Sequence, residues 1–299
     1  MARVLEILEG SIDTHAHTGP CVFSRINDSF ESAEEGRALG MRAIVLKNHH
    51  GITSDRATLV QKKVPGIEVY GGVVLNLSTG GINPFAVENA LMLGRCKMVW
   101  LPTQTAQHHI EVYGSPHGYF HMAHVARATH ELKVKGIRIL TPDGQITEET
   151  REVLSMVKEA NIGIGAGHVT KEEIVAFVKE CKKMGLRRGQ YVVNHVDLNE
   201  LWTWSVAEQK ELAELGAFIE HTAIHIQPNR LLITPEMLAE QIKAVGARNI
   251  IISSDCGQLK NPTPGQGMRI VVEKLLDCGI TPEELRLMIR DNPATLTAI

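Results

Sequence analysis

No apolar run in this 299-residue chain reaches the ~18 residues that a membrane span requires, so the sequence offers no transmembrane segment. It also lacks any surplus of positive charge. With 31 basic and 34 acidic side chains the net charge is −3, which argues against a nucleic-acid or membrane-surface role. Cysteine is sparse and scattered: Cys21, Cys96, Cys181, Cys256 and Cys278 form no CxxC pair, so neither a disulfide framework nor a cysteine zinc site is supported. The opening MARVLEILEG mixes acids into its apolar residues and has no signal-peptide core, so a cytoplasmic location is expected. No linker or low-complexity stretch divides the chain into independent domains.

What remains is a soluble globular composition, 43% hydrophobic and 22% charged, with one anomaly: fourteen histidines. Short runs rich in Val and Ile alternate with amphipathic stretches, the pattern of repeated strand–helix units and a parallel sheet. Strands are expected near Gly10–Thr14, Ala43–Lys47, Glu68–Leu75, Met98–Leu101, Ile162–Gly167, Tyr191–His195, Ala217–His221 and Ile250–Ser253. Helices fit between them at Asp28–Leu39, Ser54–Lys63, Pro84–Leu93, Glu148–Ala160, Lys171–Lys183, Ala207–Glu214, Pro235–Val245 and Gln266–Cys278, and a last one at Pro282–Arg290 would close the base. The fold class is therefore α/β, a single (β/α)₈ TIM-type barrel domain spanning residues 1–299. Residues 102–147 form an insertion after the fourth strand, and its second part is expected to turn as a hairpin at Pro142-Asp143-Gly144.

Barrel sites form where the C-terminal ends of the strands converge. The first strand ends Asp13-Thr14-His15-Ala16-His17, and histidines at i and i+2 on a strand point the same way, so both can meet one ion. Asp13 falls on that side too, one step deeper, where it can orient the pair. Alone, HxH is matched by two solvated loop histidines. Later strands then close in turn on His168, His195, His221 and Asp255, and an apolar strand ending on a lone His or Asp four times in order is hard to assign to chance. Neutral imidazoles with a carboxylate are ligands that hold zinc, or manganese or iron, and leave a position for water.

HxH followed by His168, His195 and Asp255 resembles the amidohydrolase superfamily of metal-dependent hydrolases, and Arg290-Asp291-Asn292-Pro293-Ala294 is similar to the family's closing motif. More narrowly the chain resembles amidohydrolase-like cytosolic proteins, a likeness that supplies no substrate. It implies a barrel, one or two divalent ions (zinc first, manganese or iron as alternatives), and a metal site of His15, His17, His168, His195 and Asp255. One departure stands out. Many two-metal members carry a carbamylated lysine or a glutamate at the end of the fourth strand, but here Lys97 begins that strand. Either one ion is held by His15, His17, His168 and Asp255, with His195 left for substrate, or a second ion takes ligands from Lys47 and His49 after the second strand. A polar loop with a salt-bridged lysine is the competing account of Lys47-Asn48-His49-His50.

The expected chemistry is hydrolysis of an amide, lactone or other ester bond, with Asp255 as proton acceptor and donor and His195 or His221 beside the developing oxyanion. His221, Asn76 and His49 are the expected substrate contacts, and the partner is a small molecule, with no nucleic acid or membrane and with a homo-oligomer left open. The glycine-rich stretch from Gly71 to Pro84 reads as an anion cradle or as a plain turn. His108, His109, His117, His121, His124 and His130, with Tyr113, Tyr119 and Phe120, read as a lid or as a solvated helix face. Trp202 and Trp204 are as readily packing or subunit-interface residues as substrate contacts. Three rivals share these residues. One is a mononuclear decarboxylase or lyase, and another is a non-catalytic metal-binding or scaffold protein. The third is a phosphoesterase of the polymerase and histidinol phosphatase type, disfavoured because Asp255-Cys256-Gly257 lacks that family's closing Asp-x-His.

Overall fold

The computed structural model describes residues 2–116 and 134–299. Its centre is a sheet of β1 (Ile12–His17), β2 (Ala43–Lys47), β3 (Glu68–Val74), β4 (Cys96–Trp100), β5 (Gly163–Gly165), β6 (Tyr191–Val193), β7 (Phe218–Thr222) and β8 (Ile250–Ser253), paired in chain order. Every pairing is parallel. Just past β8 the chain turns onto β1: Asp255 N–H donates to His15 O at 2.9 Å, and His17 N–H donates to Cys256 O at 3.0 Å. These bonds join the last strand to the first and make the sheet a (β/α)₈ barrel.

The helices are α1 (Ala2–Leu8), α2 (Ser29–Ala38), α3 (Ser54–Lys63), α4 (Pro84–Met92), α5 (Gln107–Tyr113), α6 (Glu148–Ala160), α7 (Lys171–Lys183), α8 (Val206–Glu214), α9 (Pro235–Val245), α10 (Pro264–Asp277), α11 (Pro282–Arg286) and α12 (Asn292–Thr297). Several begin on a side-chain cap that their sequence supplies. Thr170 accepts from Glu173 N–H while Glu173 accepts from Thr170 N–H, and Asp28 with Glu31 and Ser205 with Glu208 repeat the arrangement.

Two apolar layers result. Outside the strands a large core joins sheet to helices, with Ile44, Leu46, Val99, Phe177 and Ile252 among its buried members. Inside, Val45, Val74, Met98, Trp100, Val192, Phe218 and Ile251 fill the barrel, and Leu296 from α12 joins them. The expected last helix differs in detail. After α11 the chain makes one widened π-type turn at Leu287–Asp291, and α12 then supplies the apolar plug. Pro293 explains the break, because it has no N–H to offer and its ring would crowd the carbonyl one turn back. Within the insertion the turn at 141–145 is present, with Thr141 N–H on Gln145 O at 2.8 Å, and α5 is an element the periodicity did not reveal.

Candidate metal centre

The C-terminal end of β1 carries His15 within a register shift between Asp13 and Ala16 and His17 just after it. Both rings nevertheless converge: His15 Nε2 is 3.2 Å and His17 Nε2 3.0 Å from the same Asp255 oxygen, Oδ1. Two ligands on one tetrahedral zinc, with bonds of about 2.0–2.1 Å, stand about 3.3 Å apart. The three ligand atoms lie within 4.8 Å of one another, so the donor set and its spacing both fit a divalent cation. Asp255 reaches this position with a left-handed backbone (φ 47°), and His195 does the same (φ 34°). Such conformations are uncommon for residues other than glycine and cluster at functional sites.

Behind His15 stands a carboxylate that the strand-end pattern did not single out. Glu220, on β7, faces the barrel interior and sits 3.2 Å and 3.3 Å from His15 Nδ1 through its two oxygens. It also accepts from Asn194 Nδ2 (2.9 Å), His195 N–H (3.0 Å) and Ser253 Oγ (2.8 Å). Burial alone would raise its carboxyl, but the His15 ring and these hydrogen bonds hold it at about 2. An ionised Glu220 only accepts, so the His15 ring donates to it from Nδ1. A carboxylate behind the ring is how metal-binding histidines are commonly oriented.

A second pair lies opposite. His168 Nε2 and His195 Nε2 are 3.1 Å apart, and His168 Nδ1 is 2.9 Å from His109 Nδ1 on α5. Burial pushes His17, His49 and His168 well below the usual imidazole value and His195 to about 3, so all four rings are neutral with a lone pair to offer. Asp255 is pushed up by burial but held well below the usual carboxylate range by His15, His17 and His195. Lys47, at the end of β2, lies 2.9 Å from His15 Nε2 and 5.2 Å above the Trp100 ring, and burial lowers its amine to about 8.

One pocket therefore brings together His15, His17, His168, His195 and Asp255, with Lys47 and His49 on the same wall. His168 and His195 stand outside the His15–His17–Asp255 trio and face each other instead. Three other expectations are placed elsewhere. His221 follows the inward Glu220 by one residue, so strand alternation turns it away, and its Nδ1 pairs with Asp197 at 2.6 Å. Asn76 is a buried brace, donating to His49 O and Thr103 Oγ1 and accepting from Thr103 N–H. Asp13 accepts from His15 N–H and from Ser254, holding β1 against β8 without lining the pocket.

Lys97 lies at the barrel's far end, donating to Ala298 O at 3.0 Å, while Trp100 fills the inward position near the end of β4. Trp202 packs behind the histidines, its ring 5.9 Å from His195 and its Nε1 on Val169 O. Trp204 is buried beside Lys171. His108 bonds Leu201 O, whereas His109 reaches the site. His117, His121, His124, His130, Tyr119 and Phe120 lie outside the described residues. Arg25, Gln104, His109 and Gln258 also line the pocket, and sequence reasoning had not placed Arg25, Gln104 or Gln258 there. They come from irregular segments and a short helix, where no periodicity marks the inward side.

The chain matches a family of unknown function, DUF6282, over residues 10–220. It belongs to that family. No curated protein matches this DUF6282 chain. Among solved structures it is similar to an amidohydrolase from Pseudomonas aeruginosa, at 14% identity over 99% of this chain and 98% of that one, with a TM-score of 0.60. It is also similar to a β-aspartyl dipeptidase from Fervidobacterium islandicum (16% identity, 98% and 73%, TM-score 0.64). An N-acetylglucosamine-6-phosphate deacetylase from Thermotoga maritima compares at 12% identity, over 97% and 78% of the two chains, with a TM-score of 0.57. At these identities the likeness is one of fold.

No described helix is long and apolar enough to cross a membrane.

Proposed function

We propose that this DUF6282 chain is a metal-dependent hydrolase of the amidohydrolase type, acting on an amide, lactone or other ester bond of a small molecule. The observation that carries the reading is the His15–His17–Asp255 trio with Glu220 behind it: three ligands, one of them oriented by a buried carboxylate, at the loop-bearing end of a barrel. The fold neighbours named as an amidohydrolase, a dipeptidase and a deacetylase lend support. A divalent ion, zinc first, would be held by His15, His17 and Asp255, and the chemistry it supplies is Lewis-acid polarisation and activation of water.

The chain's own groups divide the remaining work. Asp255 is ionised and lines the pocket, so it is placed to accept a proton from the attacking water and return it to the leaving group. Lys47 can donate to a developing oxyanion, and His195 lines the same pocket. A second ion is favoured by one distance: His168 and His195 present facing Nε2 atoms 3.1 Å apart, the separation of two ligands on one ion.

Metal analysis of the purified protein, alongside His15→Ala and Asp255→Ala, tests this. At least one transition-metal ion per chain is expected in the native protein, with loss in both variants. A native protein that takes up no zinc, manganese or iron when supplied, or variants that keep full metal content, would overturn the reading. Incorporation of ¹⁸O from labelled water into product separates hydrolysis from decarboxylation or another lyase reaction.

A further inference from the structure

Beside His17 the pocket is lined by a cation that has no counter-ion among the described residues. Arg25 lines the pocket, and its Nε and Nη1 are buried without a hydrogen-bond partner. Among the described residues its hydrogen bonds run from Nη2, at 3.4 Å to His17 Nδ1 and 3.5 Å to Cys21 Sγ. Among the described residues no carboxylate pairs with it, although Arg151 and Arg230, half-buried as Arg25 is, each have one. An unpaired guanidinium under cover is costly unless something the protein binds completes it.

The side chain is also held in register with the trio. Ile26 N–H donates to Gly257 O at 3.0 Å, and Arg25 bridges Gln258, so the segment carrying Arg25 is laced to the one carrying Asp255. The contact with His17 is itself conditional. A ring that binds an ion through Nε2 keeps its proton on Nδ1, and an N–H there cannot accept from Arg25. In the metal-loaded site the third nitrogen would lose its nitrogen acceptor as well.

We infer that Arg25 is the recognition group for a carboxylate on the substrate, one that lies a few bonds from the bond cleaved because Arg25 stands one imidazole ring away from the ion-facing atoms. The inference rests on the hydrolase reading for the word substrate, but not for the binding site. A carboxylate fits better than a phosphate because its single charge matches that of Arg25, the pocket cation whose Nε and Nη1 lack partners among the described residues.

The test is calorimetric titration with N-acetylglycine, its neutral partner N-acetylglycinamide and inorganic phosphate, on zinc-loaded and on chelator-stripped protein. The acid is expected to bind in both forms, at least about tenfold more tightly than the amide and more tightly than phosphate. Arg25→Gln should erase the acid preference while keeping its zinc, and Arg25→Lys should keep part of it. The inference is overturned if the wild type binds acid and amide alike or binds neither, if phosphate is preferred, or if Arg25→Gln retains the tenfold preference. The titration reads binding and a separate substrate panel reads turnover, so the two claims fail separately. A protein that binds the acid through Arg25 yet hydrolyses no member of an amide and lactone panel retires the hydrolase reading alone. One that hydrolyses amides yet binds N-acetylglycine and N-acetylglycinamide alike retires the subsite alone.

Discussion

At the residue scale the decisive contrast is between Glu220 and His221. A strand that ends in a histidine invites that histidine into the site, but side chains alternate, and Phe218 already marks the inward parity of β7. Glu220 shares that parity, which was readable in the sequence once Phe218 was placed inside the barrel. What could not be read is its partner, since His15 lies 205 positions away. Glu220→Gln keeps the shape and removes the charge that fixes the His15 tautomer. Metal affinity should fall roughly 10–100-fold, measured by competition with a chromogenic chelator. His221→Ala should leave that affinity in place and lower stability instead, because it strands the buried Asp197 carboxylate. Equal affinities for wild type and Glu220→Gln would remove Glu220 from the site's machinery.

At the element scale, most strands and helices were legible because buried parallel strands are continuous apolar runs and the helices carry their caps in the sequence. Thr170 and Glu173 are one case: Glu173 also accepts from Ile139 N–H at 2.8 Å, tying the insertion to α7. Thr170→Ala should therefore cost about 1 kcal/mol, and Glu173→Ala clearly more, by urea unfolding. Boundaries at the site were less legible. The first strand, placed near Gly10–Thr14 with its end read on to His17, begins at Ile12 and runs through His17, where its last residues pair with β2 and with the stretch after β8, neither of which is visible locally. That stretch depends on Gly257. A Cβ there would lie 1.8 Å from His17 O, and φ is +119°. Gly94 shares a positive φ (+76°) with nothing within 4 Å of its would-be Cβ. Gly94→Ala should cost about 1 kcal/mol and leave metal binding alone, while Gly257→Ala should cost more than about 2 kcal/mol and weaken it. Similar costs for the two would show that the β1–β8 seam tolerates being parted.

At the scale of the whole molecule, the trio spans the chain. Asp13 and Ser254, which brace the ligands from behind, are 241 positions apart, and no strand pairing within either half brings them together. An ion on His15, His17 and Asp255 would clip the first strand to the last, along the seam where the barrel closes. Binding only to the folded state adds stability that grows with free ion, about 2.7 kcal/mol at a hundredfold excess over the dissociation constant. For a chain of this size one kcal/mol shifts the midpoint by roughly 2–4 °C, so zinc at that excess should raise Tm by about 5–10 °C over chelated protein in a calorimetric scan. The His15→Ala protein should melt at one temperature with or without zinc, since two remaining ligands make a poor site. That control carries the weight. Zinc attached to surface histidines would stabilise both proteins equally, and only an ion held across the seam loses its effect when one of these side chains is removed.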